Sequence, residues 1–320
     1  MPVGPYPSPP LATARRLEWV HLPPAVRAEV ERRCGTPIVA ARSQGAGFTP
    51  GFASVLVGED GSHHFVKAAS LKAQRPFAES YRTEARKLAA LPASVPAPRL
   101  LWTCEVEDWV VLATEYVAAT NPSRPWQADD LDLCLDALEA AATALTPAPS
   151  GLVLDAYEDD LAEWPAFWSV LRVPNRPERH QEAADLAAQY AAHVRGDTLV
   201  HTDIRADNVL LSADGAALFC DWNWPVRGAA WLDSFALLIG PRGDGIDVEK
   251  VISQRELLRA VPDQAIDAVL ALYTGYFLKS AADPVPPTSP HIRDHQRWQG
   301  EVCWEWLCER RGWPESGRSA

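Results

Sequence analysis

The sequence predicts an α+β protein of two lobes, a small antiparallel β-sheet carrying one long helix and then a larger, mainly helical part. Three observations predict it. At roughly 150 residues per domain, a chain of 320 residues exceeds one ordinary core. Its first third alternates short β-branched and aromatic runs with turn signals. Beyond Glu115 the apolar residues recur at helical spacing.

In chain order, residues 1–20 read as a disordered leader. They are proline-rich, with no basic start and no apolar stretch, so they do not read as a secretory signal. Residues 21–115 read as the first lobe and 116–320 as the second. A helix is expected from Pro24 to Arg33, with proline in its first turn and Gly35 as its stop. Ile38 to Ala41, Phe52 to Val57 and His63 to Ala68 read as strands, the last two joined by Gly58-Glu59-Asp60-Gly61, a hairpin turn. Phe77 to Leu91 reads as the long helix, ended by Pro92. Arg99 to Thr103 and Trp109 to Thr114 complete the sheet. Leu131 to Ala142, Glu182 to Val194, Ser234 to Leu238, Ala265 to Leu278 and Trp298 to Arg310 read as helices, interrupted by a hairpin over Val209 to Cys220.

Composition narrows the function. With 47% hydrophobic and 22% charged residues, the chain has the make-up of a globular protein with a sizeable core. Acidic residues outnumber basic ones by 42 to 30, a net charge of −12, which argues against nucleic acid or an anionic membrane as partner, since both need a positive face. The apolar runs fall short of the ~20 residues of a membrane-spanning helix. Cys34, Cys104, Cys134, Cys220, Cys303 and Cys308 form no Cys-x-x-Cys pair and read as free thiols in a reducing, cytoplasmic setting.

The chemistry concentrates between Leu199 and Trp222. Asp214-Gly215 marks a tight turn between two apolar runs. Asn208 immediately precedes the first run and Asp221 follows the second, so a hairpin faces both at one site, with Asp203 five residues earlier. An amide and two carboxylates so placed make a hard-cation site beside a spare carboxylate, and magnesium with a polyphosphate is its natural occupant. An independent sign lies in the long helix. Phe77, Tyr81, Leu88 and Leu91 form one stripe and Glu84 falls inside it. A carboxylate buried there needs a partner, and Lys67 on the preceding strand is the candidate. Glu79 falls off the stripe and is expected in solvent. The loop from Gly45 to Gly51 holds Gly45, Gly47 and Thr49 between two strands, where glycines let backbone amides approach phosphate oxygens. No Lys-Ser/Thr follows it, so it is not a Walker A loop.

The arrangement His201-x-Asp203-x4-Asn208 followed by Asp221 resembles the catalytic and metal-binding loops of the aminoglycoside phosphotransferase family, which has the protein-kinase-like fold. The likeness runs in pieces over residues 36 to 240 and is specific in the His201 to Asp221 block. It implies a kinase that moves phosphate from ATP (or GTP) to a hydroxyl. On that resemblance Asp203 is the catalytic base, and Asn208 and Asp221 hold Mg2+. His201 supports the loop. Asp233 braces it and caps a helix. Arg205 either steadies the γ-phosphate or is an ordinary surface arginine. The Lys67–Glu84 pair holds the α- and β-phosphates, and Glu115 to Val117 is the hinge that meets the nucleobase. The glycine loop has one residue more than protein kinases use, and Trp222 stands in place of their phenylalanine.

The acceptor should lie between the catalytic loop and the helical lobe. Tyr157-Glu158-Asp159-Asp160, Glu163-Trp164, Trp298, Glu301, Trp304 and Glu305 are the candidate lining. Acids mixed with indole faces suit a cationic small molecule. An aminoglycoside or another amine-bearing antibiotic or metabolite is the expected hydroxyl acceptor, and antibiotic resistance the expected role. A kinase of a biosynthetic intermediate or peptide hydroxyl is the alternative enzyme, and a nucleotide-binding pseudokinase the alternative of another class.

Overall fold

The computed structural model describes residues 16–45, 51–173 and 176–313. Its first part is a five-stranded antiparallel sheet in the order β1-β2-β3-β5-β4, with β1 Ile38–Ser43, β2 Phe52–Gly58, β3 His63–Ser70, β4 Leu100–Val106 and β5 Trp109–Thr114. Two helices cover it, α1 Pro24–Cys34 and α2 Arg75–Ala90. Strand side chains point alternately to the two faces, and the core divides accordingly. Trp109, Val111 and Ala113 share a cluster with Val26 and Val30 of α1. Val110 and Leu112 share one with Tyr81 and Ala85 of α2. Val66 and Ala68 lie on the α1 face. Lys67 between them therefore projects toward α2, and the pleat alone aims it at that helix. Gly35 closes α1 at φ 76°, its N–H on the Glu31 carbonyl at 2.9 Å. This is the left-handed stop that glycine adopts most cheaply.

Of the expected leader, residues 1–15 lie outside the described residues. Arg16 to Val20 are part of the fold: the Leu17 amide donates to the Gly51 carbonyl at 3.0 Å, and Leu17 and Trp19 pack on the sheet's core. The leader expectation is corrected there.

The second part is α-rich. It begins with β6 Ala119–Thr120, then α3 Ala128–Ala144, α4 Tyr157–Asp160 and α5 His180–Ala187. β7 Thr198–Val200, β8 Val209–Ser212, β9 Ala217–Phe219 and β10 Val226–Gly228 follow. The remainder is α6 Leu232–Leu237, α7 Ile239–Gly243, α8 Val248–Gln254, α9 Glu256–Arg259, α10 Asp263–Ala281 and α11 Ile292–Arg310. The last two are the central pair. Arg310 bonds Asp267 (2.7 Å), Glu249 (2.6 Å) and Asp263 (2.8 Å), tying α11 to α10 and α8. The expected helix over Glu182 to Val194 breaks after Ala187 into a 3-10 turn at Tyr190–Ala192. The Tyr190 hydroxyl there donates to the Glu158 carbonyl at 2.5 Å. The expected helix at Trp298 begins six residues earlier, at Ile292.

Among the described residues no helix is long and apolar enough to cross a membrane. All six cysteines are free thiols.

Candidate active site

Two loops form the site, and strand pairing aims them. β7 pairs antiparallel with β10, and β8 with β9. The segment 201–208 runs from β7 to β8, and 220–225 runs from β9 to β10. Both therefore open on the same side. The β8–β9 hairpin turns at Gly215, φ 82°, and closes with the Cys220 N–H on the Asn208 carbonyl at 3.0 Å. This is the convergence expected from Asp214-Gly215.

The sheet supplies the cation. Lys67 Nζ donates to Glu84 Oε1 (2.7 Å) and Oε2 (2.9 Å) and to Asp221 Oδ1 (2.8 Å). The Glu84 side chain is only 2% exposed, so its pairing with Lys67 is what makes its burial tolerable. Burial works against the Lys67 ammonium, but the Asp221 and Glu84 carboxylates outweigh it and hold its pKa above the ordinary value. Asp221 is partly buried, and Lys67 beside it holds its carboxyl below the usual range. Glu79 is exposed, as expected.

His201 is built into the loop rather than aimed at a substrate. Its Nδ1 accepts the Asp203 N–H at 3.2 Å, so its Nε2 carries the proton donated to the Cys220 carbonyl at 2.9 Å. Burial lowers its pKa, favouring that neutral form. Trp222 meets the ring edge-on, centroids 4.6 Å apart. Asp233 accepts the backbone N–H groups of His201 (2.6 Å) and Thr202 (2.9 Å), and so braces the loop. It does not cap α6: it sits in the helix's first turn, and the cap position is Trp231.

Asp203 is held from two sides. Asn208 Nδ2 donates to its Oδ2 at 3.0 Å and to its carbonyl at 2.9 Å. Arg205 bonds its Oδ1 and forks onto Asp207 at 3.0 Å twice. Arg205 is therefore no ordinary surface arginine. Burial pushes the Asp203 carboxyl up to about 6, against the pull of Arg205.

Lys67 and Asn223 are the donors on Asp221 Oδ1, and Asn208 donates through Nδ2. Asn208 Oδ1 and Asp221 Oδ2 are left as hard oxygen ligands. Among the described residues no group of three His, Cys, Asp or Glu could hold a metal ion. One amide oxygen and one carboxylate oxygen fit magnesium, which takes one or two protein oxygens and completes its shell with phosphate and water.

Two cavities meet here. One, about 330 Å³, is lined by Lys67, Glu84, Glu115, Val117, Asn208 and Asp221 among others. Every predicted nucleotide-side residue among the described ones lines it except Gly45. Gly47 and Thr49 lie outside the described residues. The other cavity, about 400 Å³, is lined by Asp160, Trp164, Asp203, Arg205, Asp221 and Trp224 among others.

The expected acceptor residues divide. Tyr157, Asp160 and Trp164 line the second cavity, and Glu158, Asp159, Glu163 and Glu301 do not. Trp298 lies buried against Gly243, where a Cβ would come within 2.3 Å of its ring. Trp304 is fully buried. Glu305 is taken up by Arg176, at 3.0 and 3.1 Å. Indole bulk and helical packing claim Trp298 and Trp304 for the core. The sequence reading passed over Tyr276, Gln296, Gln299 and Trp224, which line the cavity. Only Trp224, a large aromatic between two turn residues, carries a sequence signal.

Residues 48–265 match the model of a phosphotransferase enzyme family, abbreviated APH. A comparison with the curated proteins returned no match. Among solved structures, a thermostable mutant of aminoglycoside phosphotransferase APH(4)-Ia, complexed with ADP and hygromycin B, superposes with a TM-score of 0.61 at 14% identity, covering 92% of this chain and all of that one. The choline kinase LicA from Streptococcus pneumoniae gives 0.58 at 11% identity, over 89% of this chain and 98% of its own. Amicoumacin kinase hAmiN gives 0.54 at 10%, over 87% and 93%. These likenesses show the shared protein-kinase-like fold, as the sequence led us to expect.

Proposed function

The chain belongs to the phosphotransferase enzyme (APH) family, and on that premise we propose that it moves the γ-phosphoryl group of ATP (or GTP) to a hydroxyl of a small molecule. The observation that carries this reading is the chain of contacts Glu84–Lys67–Asp221, which stands where the two cavities meet, with Asp203 and Asn208 alongside. Phosphoryl transfer needs alignment and charge neutralisation more than covalent help. The 330 Å³ cavity takes the nucleotide, with Lys67 on its phosphates and the Glu115–Val117 backbone at the base. This assigns residues 21–115 to nucleotide binding and 116–320 to catalysis and the acceptor. Asn208 and Asp221 would hold Mg2+, which when bound offsets phosphate charge.

Asp203 orients the acceptor hydroxyl and takes its proton. A carboxylate with its pKa near 6 suits a general base at neutral pH. Arg205, next to Asp203, is placed to meet charge on the transferred group. The choline, amicoumacin and aminoglycoside kinases among the structural neighbours act on small molecules, and the acceptor is assigned to that broad class. In a magnesium-dependent transfer assay read by mass spectrometry, Asp203→Asn and Asp221→Ala should abolish phosphorylation. Wild-type-like turnover in either variant overturns the assignment.

A further inference from the structure

The acceptor cavity has an aromatic character that its catalytic residues do not explain. In its lining Trp164 and Tyr276 stack almost in parallel, centroids 3.8 Å apart at 5°. Tyr276 continues edge-on into Phe277. Trp224, three residues beyond Asp221, also lines the cavity. Its neighbours Asn223 and Pro225 are buried, and its carbonyl accepts the Thr202 hydroxyl at 2.8 Å. The backbone is fixed while the indole is 64% exposed. Among the described residues that indole has no ring partner. A tryptophan that lines a cavity and is exposed presents surface available to a ligand.

The charge inventory is equally specific. The lining carboxylates among the described residues are Asp160, Asp203 and Asp221. Lys67 occupies Asp221, and Arg205 occupies Asp203. Asp160 feels the Lys87 charge but makes no ion pair among the described residues, and it is the carboxylate left for an ammonium. A molecule with several amines would have to leave most of them desolvated without a counter-charge, which is costly. Gln296 and Gln299 add neutral hydrogen-bonding groups from α11.

Resting on the phosphotransferase reading, we infer that the acceptor is a hydroxyl compound with a flat or apolar ring and at most one cationic centre. The ring is held by Trp224 and the Trp164–Tyr276 stack, which line the same cavity, and any amine lies at Asp160. Trp224 is then a specificity-determining residue, and polycationic aminoglycosides are poor acceptors.

Calorimetric binding to the full chain without nucleotide tests this, with 2-amino-1-phenylethanol, choline and kanamycin as probes. The aryl amino alcohol should bind more tightly than choline or kanamycin. Trp224→Ala should weaken it about tenfold or more, the change that roughly 1.4 kcal/mol produces, and Trp224→Phe should restore most of the loss. An unchanged urea midpoint in both variants shows that the fold is intact. Tighter binding of kanamycin, no binding of the aryl probe, or an unchanged affinity in Trp224→Ala overturns the inference. The phosphotransferase reading is checked separately by binding of Mg2+ with AMP-PNP, and its failure would leave the aryl-binding result standing.

Discussion

At the scale of single residues, the site depends on backbone and carboxylate states that bulk water would not favour. Thr202 sits at φ 68°, a left-handed conformation that costs a β-branched residue roughly 1–2 kcal/mol. The Asp233 carboxylate on its N–H and its own hydroxyl on the Trp224 carbonyl hold it there. Thr202→Ala removes the hydroxyl bond and keeps a Cβ in the left-handed region, whereas Thr202→Gly removes both bond and strain. The glycine variant should therefore be the more stable of the two by about 1 kcal/mol, as read from urea midpoints. Asp203 yields a pH prediction. Its carboxyl is raised to about 6 by burial, and on the proposed function the ionised form is the competent base. The rate constant kcat/KM should climb between about pH 5 and pH 7 and be lost as pH falls through 6. Because Arg205 pulls that pKa down, Arg205→Gln should move the rise to higher pH.

At the scale of elements, glycines set how closely the helices approach. A Cβ on Gly275 of α10 would lie 2.7 Å from the Trp168 indole nitrogen, which donates to the Ala271 carbonyl of the same helix at 3.0 Å. Neither group can give way cheaply, so Gly275→Ala should cost about 1–3 kcal/mol, seen as a lower urea midpoint at unchanged slope. Elements were legible in the sequence where their pattern was local. The strands of the sheet, the α2 stripe with Glu84 inside it, and the Asp214-Gly215 hairpin all fell within one or two turns of sequence. The short helices between Ile239 and Arg259 and the three-residue partners β7 and β10 carry too few residues to show a period. The acceptor side was the least legible for the same reason: whether an indole lines a cavity or fills a core, as at Trp164 and Trp298, depends on which helix packs over it. Sequence spacing does not encode that.

At the scale of the whole molecule, α2 of the sheet part is fastened to the loop after Asp221. Ser80 donates to Asn223 Oδ1 at 2.9 Å and Lys87 to the Asn223 carbonyl at 2.7 Å, so the proposed nucleotide binding in one cavity would bear on both parts of the chain. Mg2+ with AMP-PNP at a hundredfold excess over its Kd should stabilise the fold by about 2.7 kcal/mol, visible as a raised Tm. The shift should vanish in Asp221→Ala. That residue has one more consequence. Among the described residues it is the one that borders both chambers, so their contents are separated by little more than a carboxyl group. A compound joining a nucleoside to an acceptor fragment through a short linker would occupy both at once. Its second half would dock at the high effective concentration that tethering confers, and it would outcompete either fragment supplied alone.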